Sequence, residues 1–256
     1  NLMSHSAKLF NRILLNRIRE PIDAILRPNQ AGFRNSRSCI DQIHVIRTLL
    51  AGATNKNIPL YITFVDFQKA FDSINREKMF QILRHYGIPS KIVQAIRVIY
   101  INSRSSVVVN GKTTEEFDIK SGVLQGDTLA PLLFIIVIDF VMKNAVRDAT
   151  IEHNTHGFLT NYRVGTRSRE TSPATYVNNL DFADDIALLE NSQVACQNQL
   201  STTSKRSNEV GLKINYEKTK INTNQPSSNA KISVDGQNIE IVENYKYIGS
   251  MMLYSE

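Results

Sequence analysis

Two apolar segments of the sequence carry carboxylates where a buried strand should end or turn. The first, PLYITFV (59–65), is rich in β-branched and aromatic residues and runs straight into Asp66. The second, LDFADDIALL (180–189), holds Asp184 and Asp185 between two apolar halves. We expect both segments to form buried strands. Because isolated carboxylates are costly to desolvate without a cation or hydrogen-bond donors, these acids strongly constrain the fold.

If the two segments are neighbours in one sheet, Asp66, Asp184 and Asp185 converge at a single edge, where their repulsion demands positive charge. Mg²⁺ suits such a site because it takes oxygen ligands and leaves positions for water and substrate phosphates. A pair of such ions is the usual device for phosphoryl transfer. The residues alone leave an alternative open, in which the Asp-Asp pair is a solvent-facing turn and Asp66 caps a strand.

The composition is that of a globular protein with nucleic acid among its possible partners. The 256 residues are 42% hydrophobic and 21% charged, and the net charge of +6 fits either a polyanionic partner or a solvated basic surface. Cys39 and Cys196 are far apart and lack ligand spacing, which argues against zinc or a disulfide scaffold and favours an intracellular setting, nucleus or cytoplasm. The longest apolar stretch, 129–138, is too short to span a membrane.

Strand and helix patterns alternate without regular βαβ periodicity. Asn110-Gly111 and Asp235-Gly236 predict two tight hairpins, and Pro131 opens an apolar helix. Pro21 is expected to break or kink the first helix. We predict an α+β fold with an antiparallel or mixed sheet backed by helices. The polar residues 150–178 are expected to form a surface insertion.

Five segments occur in a defined order: FVDFQKAFDSI (64–74), SGVLQGDTLAPLLF (121–134), FADD (182–185), GLKINYEKTK (211–220) and YKYIGS (245–250). Together they closely resemble the palm motifs of reverse transcriptases. Upstream, QAGFRNSRSCIDQI (30–43) resembles the fingers motif of the non-LTR (LINE-type) retrotransposon branch. The resemblance covers essentially the whole chain.

This resemblance implies the right-hand polymerase architecture. We expect residues 1–58 to be partial fingers and residues 59–256 the palm, with fingers-like or surface elements within 75–120. The thumb is expected to be absent from this sequence. The missing fingers, thumb and endonuclease regions are expected in a longer parent protein.

The resemblance also implies two magnesium ions, for which Mn²⁺ is a possible substitute. Asp66 and Asp184 match the two metal-bridging carboxylates, Asp185 the third acidic group, and the Phe67 carbonyl a backbone ligand. Lys218 matches the lysine proposed to protonate the pyrophosphate leaving group.

Further positions match the family's substrate contacts. Phe71 matches the bulky gate that excludes a 2′-hydroxyl, whereas the residue alone would be read as a core aromatic. Gln125 and Gly126 match the loop along the incoming nucleotide and template, although LQGD alone is simply a turn. Ala183, just before the two acids, is assigned to substrate binding as well.

Two arginines and a hairpin complete the set of candidates. Arg34 and Arg37 match a loop that would hold the triphosphate, since guanidinium groups suit phosphate oxygens. Contact with the template backbone is an equally open role for both. YKYIGS (245–250) resembles the primer-grip hairpin, and its tyrosines fit a core role equally well.

The resemblance implies an RNA-directed DNA polymerase, a nucleotidyltransferase that joins a dNTP to a primer 3′-hydroxyl. Its expected partners are an RNA template, a DNA primer and dNTPs, without a membrane. Two alternatives remain open at this point. One is a group II intron-type reverse transcriptase, and the other is a catalytically incompetent nucleic-acid-binding remnant.

Overall fold

The computed structural model describes residues 4–101, 103–124, 126–153, 156–160, 176–225 and 231–253. The helices are α1 (His5–Asp23), α2 (Cys39–Asn55), α3 (Ala70–Ser73), α4 (Arg76–His85), α5 (Ser90–Ile101), α6 (Ala130–His153) and α7 (Gln193–Glu209). The strands are β1 (Tyr61–Val65), β2 (Arg104–Ser105), β3 (Val108–Val109), β4 (Lys112–Thr113), β5 (Phe117–Asp118), β6 (Phe158–Leu159), β7 (Tyr176–Val177), β8 (Asn179–Phe182), β9 (Asp185–Glu190), β10 (Lys220–Thr223), β11 (Ser233–Val234), β12 (Gln237–Asn238), β13 (Glu240–Ile241), β14 (Asn244–Tyr247) and β15 (Ser250–Leu253).

A five-stranded sheet in the order β13-β10-β1-β9-β8 forms the centre of the fold. Strand β1 pairs antiparallel with β10 on one side and with β9 on the other. Strand β8 pairs antiparallel with β9, whereas β13 runs parallel to β10. The sheet is therefore mixed, and the predicted α+β class is confirmed.

Both faces of β1 are covered, so every residue of this strand is buried, as its apolar run predicts. On one face, Ile62 and Phe64 belong to a hydrophobic cluster with residues of α2 and of the β14–β15 hairpin. On the other face, the Thr63 hydroxyl and the Cys196 thiol of α7 are hydrogen-bonded at 3.2 Å. A larger cluster joins apolar side chains of α1, α4, α5 and α6.

The predicted hairpins are confirmed. Asn110 and Gly111 link β3 to β4, and Asp235 and Gly236 link β11 to β12, all four with positive φ. The predicted break at Pro21 is wrong, because α1 continues through it to Asp23. A proline so close to the end of a helix removes little of the hydrogen-bond ladder, which explains the difference.

The predicted insertion at 150–178 lies largely outside the described residues, which here include the end of α6 and the paired strands β6 and β7. The predicted division at residues 58 and 59 stays a prediction. Leu14 and Ile18 of α1 share one hydrophobic cluster with Phe80 and Phe134 of α4 and α6. Among the described helices, none is both long and apolar enough to cross a bilayer.

Candidate active site

The sheet register gathers the three acids of the two apolar segments. Val65 at the end of β1 pairs with Ile186 of β9, so Asp66 and Asp185 follow as neighbours across the two strands. Phe182 and Asp185 close the β8–β9 hairpin, whose turn residues are Ala183 and Asp184. Asp66, Asp184 and Asp185 therefore lie near one another where β1 ends and the hairpin turns, and their charges interact.

Burial and mutual repulsion shift the acids of this group toward protonation. Burial raises the pKa of Asp185 from 3.8 to about 6, and the charges of Asp184 and Asp66 add to the shift. Burial also raises the pKa of Asp184, a hydrogen bond from its own backbone N–H opposes this, and the charge of Asp66 adds to it. Such carboxylates are stabilised in their charged form by a nearby cation.

The backbone beside Asp66 offers a further oxygen. Phe67 pairs with Ile214, and the flanking bonds run from the Gln68 N–H to the Lys213 carbonyl and from the Asn215 N–H to the Asp66 carbonyl. In an antiparallel pair of this kind, the carbonyl of the paired residue points to the opposite side. The Phe67 carbonyl is thus directed away from Ile214.

These groups fit a hard divalent cation that completes its shell with water and phosphate oxygens. Within the described ranges, no group of three or more His, Cys, Asp or Glu side chains is arranged so that it could hold a metal ion by itself. Mg²⁺ usually binds through one or two carboxylates plus substrate phosphates, so an open group of acids matches its needs better than a closed cage. The assignment of Asp66, Phe67, Asp184 and Asp185 to metal stays a prediction.

Phe71 lies between the core and the loop that follows α1. Its ring stacks on Phe134 of α6, with centroids 4.1 Å apart, and meets the edge of Phe33 at 6.2 Å. The Val123 N–H donates to the Phe71 carbonyl, and the Gly122 N–H donates to the Ile74 carbonyl. The SGVL segment is thereby attached to the turn that carries the predicted gate.

The glycine of this loop allows a close approach. A Cβ at Gly122 would lie 2.5 Å from the Asp72 Cα, and the backbone has a φ of +75°. The loop continues to Gly126, which is exposed and has a φ of +86°. Gln125 lies outside the described residues. The roles predicted for Gln125 and Gly126 therefore stay predictions.

The structure separates the two predicted phosphate-binding arginines. The Arg34 side chain is buried, its Nε donates to the Asp23 carboxylate at 2.6 Å, and its amino groups donate to the carbonyls of Asp23, Arg27 and Gln30. These bonds occupy most of the N–H donors of Arg34, which therefore stabilises the conformation of the loop. Arg37 is exposed, and its guanidinium is the better placed of the two for a soluble anion.

Lys218 lies on the segment that docks beside Asp66. It is exposed, and its backbone N–H donates to the Asn215 side chain. The Asn215 N–H in turn donates to the Asp66 carbonyl at 2.8 Å, and the Asp66 N–H donates to the Thr219 hydroxyl. The predicted role of Lys218 toward the leaving group stays a prediction.

The YKYIGS segment forms the hairpin β14–β15, packed beside the acids. Tyr245 stacks on Phe64 with centroids 4.4 Å apart, and burial together with the charges of Asp66 and Asp185 raises its pKa. Tyr247 is buried and donates from its hydroxyl to the Leu180 carbonyl at 3.1 Å. Tyr247 thus belongs to the core cluster and Tyr245 packs against it, and both lie near the β8–β9 hairpin.

Sequence reasoning missed three contacts around the hairpin. Asp181 is fully buried and pairs with Arg27, which also pairs with Asp139. Gln30, quoted only as part of a motif, hydrogen-bonds to the backbone of Ala183. A glutamine two residues before a glycine in QAGF was the available signal, yet its partner is 153 residues away in the chain.

Comparison with known proteins identifies the family. The family described as reverse transcriptase (RNA-dependent DNA polymerase) matches residues 1–252. The chain belongs to this family.

The relatives are retrotransposon proteins. An R2 type-1 Pol polyprotein of Popillia japonica is 28% identical over 73% of this chain and 30% of its own length. The R2DM Pol polyprotein of Drosophila melanogaster is 29% identical, over 81% of this chain and 18% of its own length. The chain thus spans less than a third of the length of these relatives. They confirm the predicted non-LTR resemblance and favour it over the group II intron alternative.

Solved structures support the fold. A Candida tropicalis apo telomerase that lacks its C-terminal domain superposes with a TM-score of 0.60 and 14% identity, over 97% of this chain and 43% of that chain. A second telomerase of that organism, in complex with a TWJ fragment of telomeric RNA, gives a TM-score of 0.57 at 14% identity, over 89% of this chain and 34% of that chain. The predicted palm-like α+β architecture is consistent with both.

Proposed function

We propose that the chain is the polymerase part of a retrotransposon protein and carries out magnesium-dependent, RNA-directed DNA synthesis. The observation that carries this proposal is the meeting of Asp66, Asp184 and Asp185 at the junction of β1 and the β8–β9 hairpin, in a chain of the reverse transcriptase family. The raised pKa values of Asp184 and Asp185 mark a site that requires cations.

In the proposed reaction, the primer 3′-hydroxyl attacks the α-phosphate of a dNTP and pyrophosphate leaves. Asp66 and Asp184 would hold two Mg²⁺ or Mn²⁺ ions, with help from Asp185 and the Phe67 carbonyl. When bound, the ions activate the attacking oxygen and neutralise the leaving group. Lys218, on the segment beside Asp66, supplies a proton to the departing pyrophosphate.

The substrate is selected by residues around the acids. Phe71, held by its stack on Phe134, presents a rigid ring that leaves no room for a 2′-hydroxyl. Gln125 and Gly126, which match the family's nucleotide-contacting loop, would line the nucleotide, together with Ala183. Arg37 contacts the triphosphate from the exposed loop.

An RNA template and a DNA primer are the proposed partners, inside the cell. The net charge of +6 is compatible with these polyanions. The regions of fingers, thumb and endonuclease would be supplied by a longer protein, in keeping with the greater length of the relatives.

Primer extension tests the proposal. The full-length protein is expected to extend a DNA primer on an RNA template with dNTPs and Mg²⁺, and Asp184→Asn to reduce extension by at least about 10³-fold. Asp118→Asn is the matched control, because Asp118 is an exposed acid on the β2–β5 hairpin. Normal synthesis by Asp184→Asn would refute the metal site, and template binding without synthesis by the unmodified protein would favour the remnant.

A further inference from the structure

The segment that follows α1 pairs with the strand that leads into the catalytic turn. The Ala31 N–H donates to the Asp181 carbonyl at 2.8 Å, and the Asp181 N–H donates to the Asn29 carbonyl at 3.0 Å. These two bonds form a parallel bridge between Gln30 and Asp181. Asp181 stands two residues before Ala183 in the chain, so the bridge brings Gln30 close to the turn that contains Asp184.

The Gln30 side chain then holds the turn itself. It is fully buried, and its Oε1 accepts hydrogen bonds from the Ala183 N–H at 2.9 Å and from the Gly32 N–H at 2.7 Å. Its Nε2 donates to the Ala183 carbonyl at 3.2 Å. One amide group therefore satisfies both backbone polar groups of the residue that precedes Asp184.

Ala183 needs such support because of its backbone conformation. Its φ is +59°, and no positive φ is found at Asp184, as in a type II′ turn, where glycine is the usual first central residue. An alanine in the left-handed region is disfavoured by contact between its Cβ and the carbonyl oxygen. Hydrogen bonds to both sides of this residue offset that strain.

The neighbouring glycine lets the two segments come this close. A Cβ at Gly32 would lie only 2.2 Å from the Ala183 nitrogen, and backbone cannot yield as a flexible side chain would. Gly32 therefore keeps the loop and the turn in contact, and Gln30 fixes their relative register.

We propose that Gln30 is a positioning residue for the catalytic turn: it holds Ala183 in the left-handed conformation and so aims Asp184 at the site shared with Asp66. The inference rests on the proposed polymerase function but does not follow from it. Gln30 touches no reacting atom; it acts through the backbone of Ala183.

A double-mutant comparison tests this role. Gln30→Met keeps the size of the side chain and removes all three hydrogen bonds. Gln42→Met is the matched control, because Gln42 is also buried and donates to the Asn29 carbonyl of the same loop without touching the turn. Ala183→Gly is the rescuing change, since glycine adopts a positive φ without assistance.

We expect Gln30→Met to lower kcat for dNTP incorporation by about 10- to 100-fold, with the dNTP KM within about threefold of the parent value. In the Ala183→Gly background, the same change should lower kcat by less than about threefold. Gln42→Met should leave kcat within about twofold even where it lowers the unfolding temperature. The positioning role would be overturned if Gln30→Met lowered kcat equally in the parent and in the Ala183→Gly protein. It would also be overturned if Gln42→Met lowered kcat as much as Gln30→Met does.

Amide hydrogen exchange gives a readout that needs no activity. Exchange in the segment 179–188 should be at least about tenfold faster in Gln30→Met than in Gln42→Met, and unchanged exchange would reject the proposal. If Gln30→Met does not fold, Gln30→Glu replaces it in both measurements, since it keeps one acceptor oxygen and puts a second, negatively charged acceptor where the donor faced the Ala183 carbonyl. If the unmodified protein does not synthesise DNA, the polymerase proposal fails while exchange still decides the role of Gln30.

Discussion

The Arg27 Nη2 lies 2.6 Å from the Asp181 Oδ2, and both side chains are almost entirely buried. The same guanidinium contacts Asp139 of α6 through its Nε at 2.9 Å, and Asp139 also accepts a hydrogen bond from Tyr86 and pairs with Lys143. This network holds the loop after α1 against the strand that leads into the Ala183-Asp184 turn.

Asp181→Ala should destabilise the protein by about 3–5 kcal/mol, because it leaves the buried Arg27 without one of its two partners. Urea unfolding measures the change. Asp118→Ala, which removes an exposed ion pair with Arg104, should cost less than about 1 kcal/mol. If the two changes lowered the free energy of unfolding equally, the buried pair would contribute no more to stability than the exposed one.

The arginines of the loop should respond differently to truncation. Arg34→Ala should lower the free energy of unfolding by about 2 kcal/mol, because buried carbonyls of the loop lose their donor. Arg37→Ala should change stability by no more than about 0.5 kcal/mol but raise the KM for dNTPs, since Arg37 is exposed. Thermal unfolding and steady-state kinetics check both. A raised KM with unchanged stability in Arg34→Ala would assign the triphosphate to Arg34 instead.

Truncation of the ring at Phe71 should relax the choice of sugar. Phe71→Ala is expected to lower the preference for dNTPs over rNTPs by at least about 10-fold, because the ring is the group proposed to exclude a 2′-hydroxyl. Single-nucleotide incorporation measures the ratio. Phe80→Ala removes a buried aromatic of α4 and should lower stability without a change in this ratio. A ratio that stays constant in Phe71→Ala would leave Phe71 as a core residue.

The stability of the metal-free protein should fall as the pH rises from about 4 to about 6. The pKa of Asp185 is raised to about 6 in the folded state, so the protonated acid favours folding and ionisation removes that contribution. The effect is moderated by solvent, because Asp185 is only partly buried and part of its surface stays in contact with water. Thermal unfolding across this range should show a smaller decline for Asp185→Asn. Added Mg²⁺ should restore stability to the parent protein at pH 6 and above, and an identical pH profile for the two proteins would contradict this.

Local signals in the sequence predicted a large part of the fold. Asn110-Gly111 and Asp235-Gly236 specify their hairpins through backbone preferences alone, and the apolar run before Asp66 specifies a strand covered on both faces. The grouping of the three acids was predicted because a charge inside an apolar strand requires compensation. This rule applies even where the compensating partner is unknown.

The contacts between distant segments were not predictable in the same way. Arg34 and Arg37 carry the same charge, so residue type does not distinguish them. Only in the folded chain is Arg34 surrounded by the carbonyls to which it donates. Nothing near Asp181 in the sequence indicates its partner, because Arg27 is far away along the chain. Such pairings depend on the topology of the fold, which the residue types themselves do not reveal.

The bridge between Gln30 and Asp181 affects whether molecules of this protein can associate through their sheets. Strand β8 is the outermost strand on its side of the sheet, and an outermost strand with free N–H and C=O groups recruits strands of other chains. Residues 29–31 occupy those groups at Asp181. The loop therefore protects the sheet against intermolecular pairing and aggregation at the strand that leads into the turn with Asp184.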